Sequence, residues 1–74
     1  MTRHPVQSSN IKSIGHDPKT NTLEVEFGSG GVYQYHGVPA EEHSNLIHHP
    51  HDGSIGKHLH VHIKGKYACM KVSE

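Results

Sequence analysis

The sequence predicts an α+β domain in which a three-stranded antiparallel meander packs against two short helices and a C-terminal extended segment follows. Three observations carry this. Leu23, Val25 and Phe27 alternate with Thr22, Glu24 and Glu26, the period-two pattern of a strand with one buried and one wet face. Turn-forming residues flank that strand on both sides. Beyond Pro39 the pattern changes to one that suits helices. With 74 residues there is room for one core only, and a chain of this size buries about 60% of its unfolded surface. Only 31% of the residues are apolar, so a thin stability margin is expected.

Residues 1–8, polar apart from a few side chains and containing Pro5, show no periodicity and are expected to form a flexible leader to a domain over 9–74. Ile11, Ser13, Ile14 and His16 give an imperfect first strand, closed by the turn formers of Asp17-Pro18-Lys19-Thr20-Asn21. The strand from Thr22 to Phe27 comes next. Gly28-Ser29-Gly30-Gly31 then supplies a tight hairpin, and Val32, Tyr33, Gln34, Tyr35 and His36 resume strand-like composition.

A first helix is expected over 39–48: Pro39 suits its first turn, Glu41 and Glu42 its positive end, and Leu46 with Ile47 can face the sheet. Pro50 stops it. Asp52-Gly53-Ser54 offers a turn and an N-cap for a second helix in which Ile55, Leu59 and Ile63 fall at i, i+4 and i+8. A strand reading competes there, because Leu59, Val61 and Ile63 alternate with His58, His60 and His62. The cap and Ile55 favour the helix. Gly65 ends it, and residues 67–72 read as an extended segment that closes over the sheet or pairs with its edge.

Seven Lys and Arg balance seven Asp and Glu, which excludes the uniform positive field of many nucleic-acid-binding domains and makes any anion site a local patch. Ten histidines make the charge conditional on pH. Several of them crowded between His48 and His62, they are expected to repel one another when protonated, so that folding weakens as pH falls from about 7.5 to 5. Cys69 is the single cysteine, so no internal disulfide forms, and a reducing, cytoplasmic setting is expected. No apolar run approaches the roughly 18 residues of a membrane span, and no membrane association is expected.

Several of these blocks together resemble the KTSC domain, the module named after the C-terminus of some lysyl-tRNA synthetases. Ser8-Ser9-Asn10-Ile11, Leu23-Glu24-Val25-Glu26-Phe27, Gly30-Gly31-Val32-Tyr33-Gln34-Tyr35, Gly37-Val38-Pro39, Ser54-Ile55-Gly56-Lys57 and Ile63-Lys64-Gly65-Lys66-Tyr67 carry the likeness, in order, over about residues 6–68. His58-Leu59-His60 and Ala68-Cys69 depart from the family's aromatic pattern. The resemblance implies a stand-alone accessory module, with RNA as the expected ligand through the synthetase attachment.

Tyr33 and Tyr35 share one face of their strand, where exposed rings could stack on unpaired bases while Lys57, Lys64 and Lys66, with Tyr67 beside them, meet the phosphates. The competing reading puts both tyrosines in the core, and the scarcity of other aromatics supports it. A protein-interaction or self-association module is the alternative of a different class, favoured by neutral charge, a thin core and open sheet edges. His48, His49, His51 and Asp52 form the densest ligand-type cluster, and His58 and His62, one helical turn apart, are the pair able to share a metal. They match no recognised metal-ligand spacing, so adventitious binding is expected rather than a native site, and no cofactor is expected. No nucleophile, base and orienting group can be named together, so no enzyme activity is expected.

Overall fold

The computed structural model describes residues 1–73; residue 74, the last of the domain expected over 9–74, lies outside the described residues. The elements are β1 (His4–Pro5), β2 (Ile11–Asp17), β3 (Thr22–Phe27), β4 (Val32–His36), α1 (Ala40–His48), a single 3-10 turn (His51–Gly53), α2 (Ile55–His58) with a π-helical continuation (Leu59–Ile63), and β5 (Ala68–Ser73). The strands form one antiparallel sheet in sequence order. The α+β class and the two helices are as expected, but the sheet has five strands, not three.

Both additional strands lie where the sequence has no readable period. His4 pairs with Ile14 and Pro5 with Ser13, in the segment expected as a leader, and two residues are too few for a pattern. The extended C-terminal segment pairs with the edge of β4, setting Cys69 opposite Tyr35 and Lys71 opposite Tyr33. Residues 68–72 are all exposed, so burial imposes no alternation on them.

The imperfect pattern of β2 has a physical cause. Ile11 pairs with Phe27 but Ser13 with Glu26, so Lys12 is an extra residue in the strand, a β-bulge. The inserted residue shifts the phase, and Ile11 and Ile14, three apart, both reach the core. In β3 and β4 the alternation is regular: Leu23 opposes Tyr35 and Val25 opposes Tyr33 on the helix side, while Glu24 opposes Gln34 on the other.

Helices and sheet enclose Ile11, Ile14, Leu23, Val25, Tyr35, Val38, Leu46, Leu59 and Ile63. Leu59 and Ile63 are buried and Ile55 packs against them, whereas Val61 is 43% exposed. A strand would have put Val61 on the same face as its neighbours, so the helical spacing governs this segment. Ser54 caps α2 by accepting the Lys57 N–H at 3.2 Å. The amide of Lys64 bonds the Leu59 carbonyl at 2.8 Å, the five-residue spacing of a π turn, and Gly65 at φ +83° releases the chain toward β5.

The outer face of the sheet carries a polar network instead of a second layer. Arg3 donates to the Ser13 hydroxyl at 3.1 Å and pairs with Glu24, Ser13 donates to Glu26 at 2.9 Å, and Gln34 donates to Glu24 at 2.8 Å. The N-terminal segment reaches this position by crossing directly over Gly15, where a Cβ would collide with the Thr2 carbonyl. Among the described residues no helix is long and apolar enough to cross a membrane.

Candidate functional site

On the helix side of the sheet, beyond the end of the helical layer, a cleft of about 620 Å³ opens between the β3–β4 hairpin, β5 and the Gly65 turn. Its aromatic surface comes from Phe27, Tyr33 and Tyr35, its cations are Lys64 and Lys71, and Ser9, Asn10, Ser29 and Cys69 add polar and thiol groups. A second cleft of about 390 Å³ adjoins it along α2, bounded by Ser54, Gly56, Lys57 and His60. Among the described residues no carboxylate lines either cleft. Glu24 and Glu26 lie across the sheet, because strand alternation sends them to the opposite face. A chain of zero net charge thus presents a local cationic surface.

The aromatic residues divide by burial. Tyr35 is 2% exposed and belongs to the core, contributing only its edge to the cleft. Burial, and then the neighbouring Cys69 thiol, push its phenol above the ordinary tyrosine value, so its hydroxyl stays protonated. Tyr33 is half-buried and meets Phe27 edge-to-face, with ring centres 5.4 Å apart and planes at 82°. The Lys64 ammonium lies 5.6 Å from the Phe27 centroid and the Lys71 ammonium 6.0 Å from that of Tyr33. The available aromatic pair is therefore Phe27 with Tyr33, whereas sequence reasoning offered Tyr33 with Tyr35.

The expected lysines also separate. Lys64 lines both clefts, while Lys57 lines the smaller and is bonded to Asp52 at 2.8 Å. Lys66 and Tyr67 line neither: the Lys66 amide closes the turn on Ile63 and Tyr67 packs against the core. Phe27 and Lys71 were missed. Phe27 was legible as the last residue of the β3 apolar face, but Lys71 reaches Tyr33 only through the β4–β5 register, which no local pattern encodes.

Of the expected histidine cluster, His51, His58 and His62 come together: ring centres of His58 and His62 are 4.4 Å apart, those of His51 and His62 5.4 Å. His58 is buried and committed to structure. Its Nδ1 accepts the His51 backbone N–H at 3.0 Å, which fixes the proton on Nε2, directed at Glu42 3.5 Å away. His48 and His49 are exposed at the end of α1, and among the described residues no three His, Cys, Asp or Glu side chains are placed to hold a metal ion. The histidine most perturbed by its surroundings lies outside the crowded run. His43 stacks on His16 at 5.0 Å, and burial first, then His16, His48 and His4, hold its pKa below the ordinary value.

With this geometry in view, three comparisons place the chain. The KTSC domain model matches residues 7–67. A KTSC domain protein from Yersinia pestis, solved as a crystal structure, superposes with a TM-score of 0.90 at 43% identity over 97% of each chain. An uncharacterized protein of Stutzerimonas stutzeri (strain A1501) is 39% identical over 90% of both chains. A lysine–tRNA ligase of Nostoc punctiforme is also 39% identical over 90% of this chain, which spans 11% of that protein. The chain belongs to the KTSC domain family.

Proposed function

We propose that this KTSC domain is an accessory RNA-binding module, not an enzyme, and that unpaired nucleotides enter the cleft bounded by Phe27, Tyr33, Lys64 and Lys71. The observation that carries the reading is the pairing of two half-buried aromatic rings with an ammonium group over each, in a cleft that no carboxylate lines among the described residues. Stacking of a base on an aromatic ring contributes about 1–3 kcal/mol, and a lysine displaced from the ring by the base can meet the phosphate beside it. The related segment within a lysine–tRNA ligase, an enzyme named for tRNA, supports RNA over other anions. Among the described residues the lining holds one thiol, Cys69, and neither histidine nor carboxylate to serve as its base, which supports binding over catalysis. An RNA ligand and a lone, exposed, unpaired cysteine support a cytoplasmic location.

Fluorescence anisotropy with labelled tRNA and single-stranded oligonucleotides tests the proposal. Binding should weaken with salt, and the variant K64A/K71A should lower the slope of log K against log salt by about 1.4, at about 0.7 per phosphate contact on a single strand. Absence of binding to either ligand at low salt rejects it.

A second reading rests on the β5 edge, where Met70 is 53% and Val72 43% exposed on a six-residue strand at the end of the sheet. Such an edge can accept a strand from a second copy. Light scattering showing only monomer at high concentration rejects it.

A further inference from the structure

We infer that the site takes two successive nucleotides of a single strand, one base in the larger cleft and the next in the smaller, with Lys64 at the phosphate between them. The inference rests on the RNA-binding reading above and specifies its footprint and polarity of contacts.

Three residues, Asn10, Phe27 and Lys64, line both clefts, so the two are lobes of one groove that meet at a seam. At about 620 and 390 Å³, each lobe is within the size range of small-ligand sites. The Lys64 side chain lies over the Phe27 ring at that seam, and no ion pair with Lys64 is present among the described residues. Lys57, the other cation of the smaller lobe, is already compensated by Asp52. A strand crossing the seam would place its bridging phosphate beside Lys64, which no carboxylate pairs among the described residues.

Gly56 is the point at which α2 approaches the Ser8 to Asn10 loop: an added Cβ would stand 3.7 Å from the Ser8 hydroxyl and 3.8 Å from the Asn10 amide nitrogen. The Asn10 backbone is fixed by the Gly28 N–H at 2.8 Å, which leaves its exposed side-chain amide to meet a base edge or the sugar. The lobes differ in chemistry. Both share the Phe27 ring; the larger adds Tyr33, whereas the smaller adds Ser54 and His60 beside the buried Ile11 and Leu59.

Titration with uridine monophosphate, UpU and UpUpU, followed by amide chemical shifts, tests the footprint. UpU carries less charge than the mononucleotide, so a gain in affinity reports the second nucleoside and not charge. UpU should bind at least about tenfold more tightly than the mononucleotide, and UpUpU should add little more. Residues 54–60 should shift with UpU and not with the mononucleotide. The K64A variant should weaken both UpU and the mononucleotide, because each places a phosphate at Lys64. A UpU affinity equal to that of the mononucleotide, or silent residues 54–60 while longer strands bind, overturns the two-nucleotide footprint and leaves RNA binding standing. Absence of binding to every oligonucleotide overturns both.

Discussion

His58 gives the sharpest stability prediction, because its two ring nitrogens have separate partners. Nδ1 accepts the His51 backbone N–H at 3.0 Å, and Nε2 faces Glu42 at the longer distance of 3.5 Å, on a residue that is 5% exposed. Glutamine at 58 keeps a polar group near the Nε2 position and deletes the Nδ1 acceptor; asparagine does the reverse. Leaving a buried N–H without an acceptor costs about 1–3 kcal/mol, and imperfect filling of the ring's space adds about 1 kcal/mol. We therefore expect H58Q to lose about 2–4 kcal/mol and H58N about 1–2 kcal/mol. A 74-residue domain at roughly 0.05–0.15 kcal/mol per residue has about 4–11 kcal/mol in total, so the glutamine variant loses a large share. With a urea slope near 1 kcal/mol/M for so small a domain, its midpoint should fall by about 2 M or more. An H58Q midpoint at the parent value, or H58N as the less stable of the two, would refute the assignment of the Nδ1 bond as the dominant contact.

Three further outcomes follow from the same structure. Because the folded pKa of His43 lies below its unfolded value of about 6.5, the unfolded chain binds more protons in that window, so stability should fall as pH drops from about 7.5 through 6.5, and H43F should flatten that slope in urea titrations. Burial alone raises the Glu24 pKa, but its bonds from Gln34 and Arg3 bring it below the usual value; R3A should therefore lower stability by about 1–2 kcal/mol at pH 7 and move the Glu24 titration, followed by carboxyl NMR, upward. Zinc at tens of micromolar should leave the urea midpoint unchanged, since ligation through His58 Nδ1 would break the His51 bond; a rise of 1 M would show a metal site that the resting geometry conceals.

How much could be read from the chain depended on whether burial wrote a pattern into it. Thr22 to Phe27 alternates because one face meets the core and the other meets the Arg3 network, so that strand was legible residue by residue. The helical spacing of Ile55, Leu59 and Ile63 was legible for the same reason, and the exposure of Val61 decides against the alternating strand. β1 was not legible, and β5 was legible only as an extended segment that closes over the sheet or pairs with its edge. One has two residues and the other lies at the edge with its described side chains exposed, so pairing alone defines them. The site inherited that gap: Lys64, Tyr33 and the placing of Glu24 and Glu26 on the opposite face follow from local pattern, whereas Lys71 needs β5 in place before it can be seen beside Tyr33. Lys66 and Tyr67 follow Gly65 in the turn before β5, where neither lines a cleft and Tyr67 packs against the core.

The aromatic and cationic cleft, and not another surface, is the proposed site for single-stranded RNA. Amide and side-chain chemical-shift mapping with a short unstructured oligonucleotide tests it most directly. Saturable shifts at Phe27, residues 28–31, Tyr33, Lys64 and Lys71, with Glu24, Glu26 and Gln34 on the opposite face unmoved, are predicted. Shifts centred on the outer face or on the β5 edge with the cleft silent, or no shifts at low salt, would contradict it.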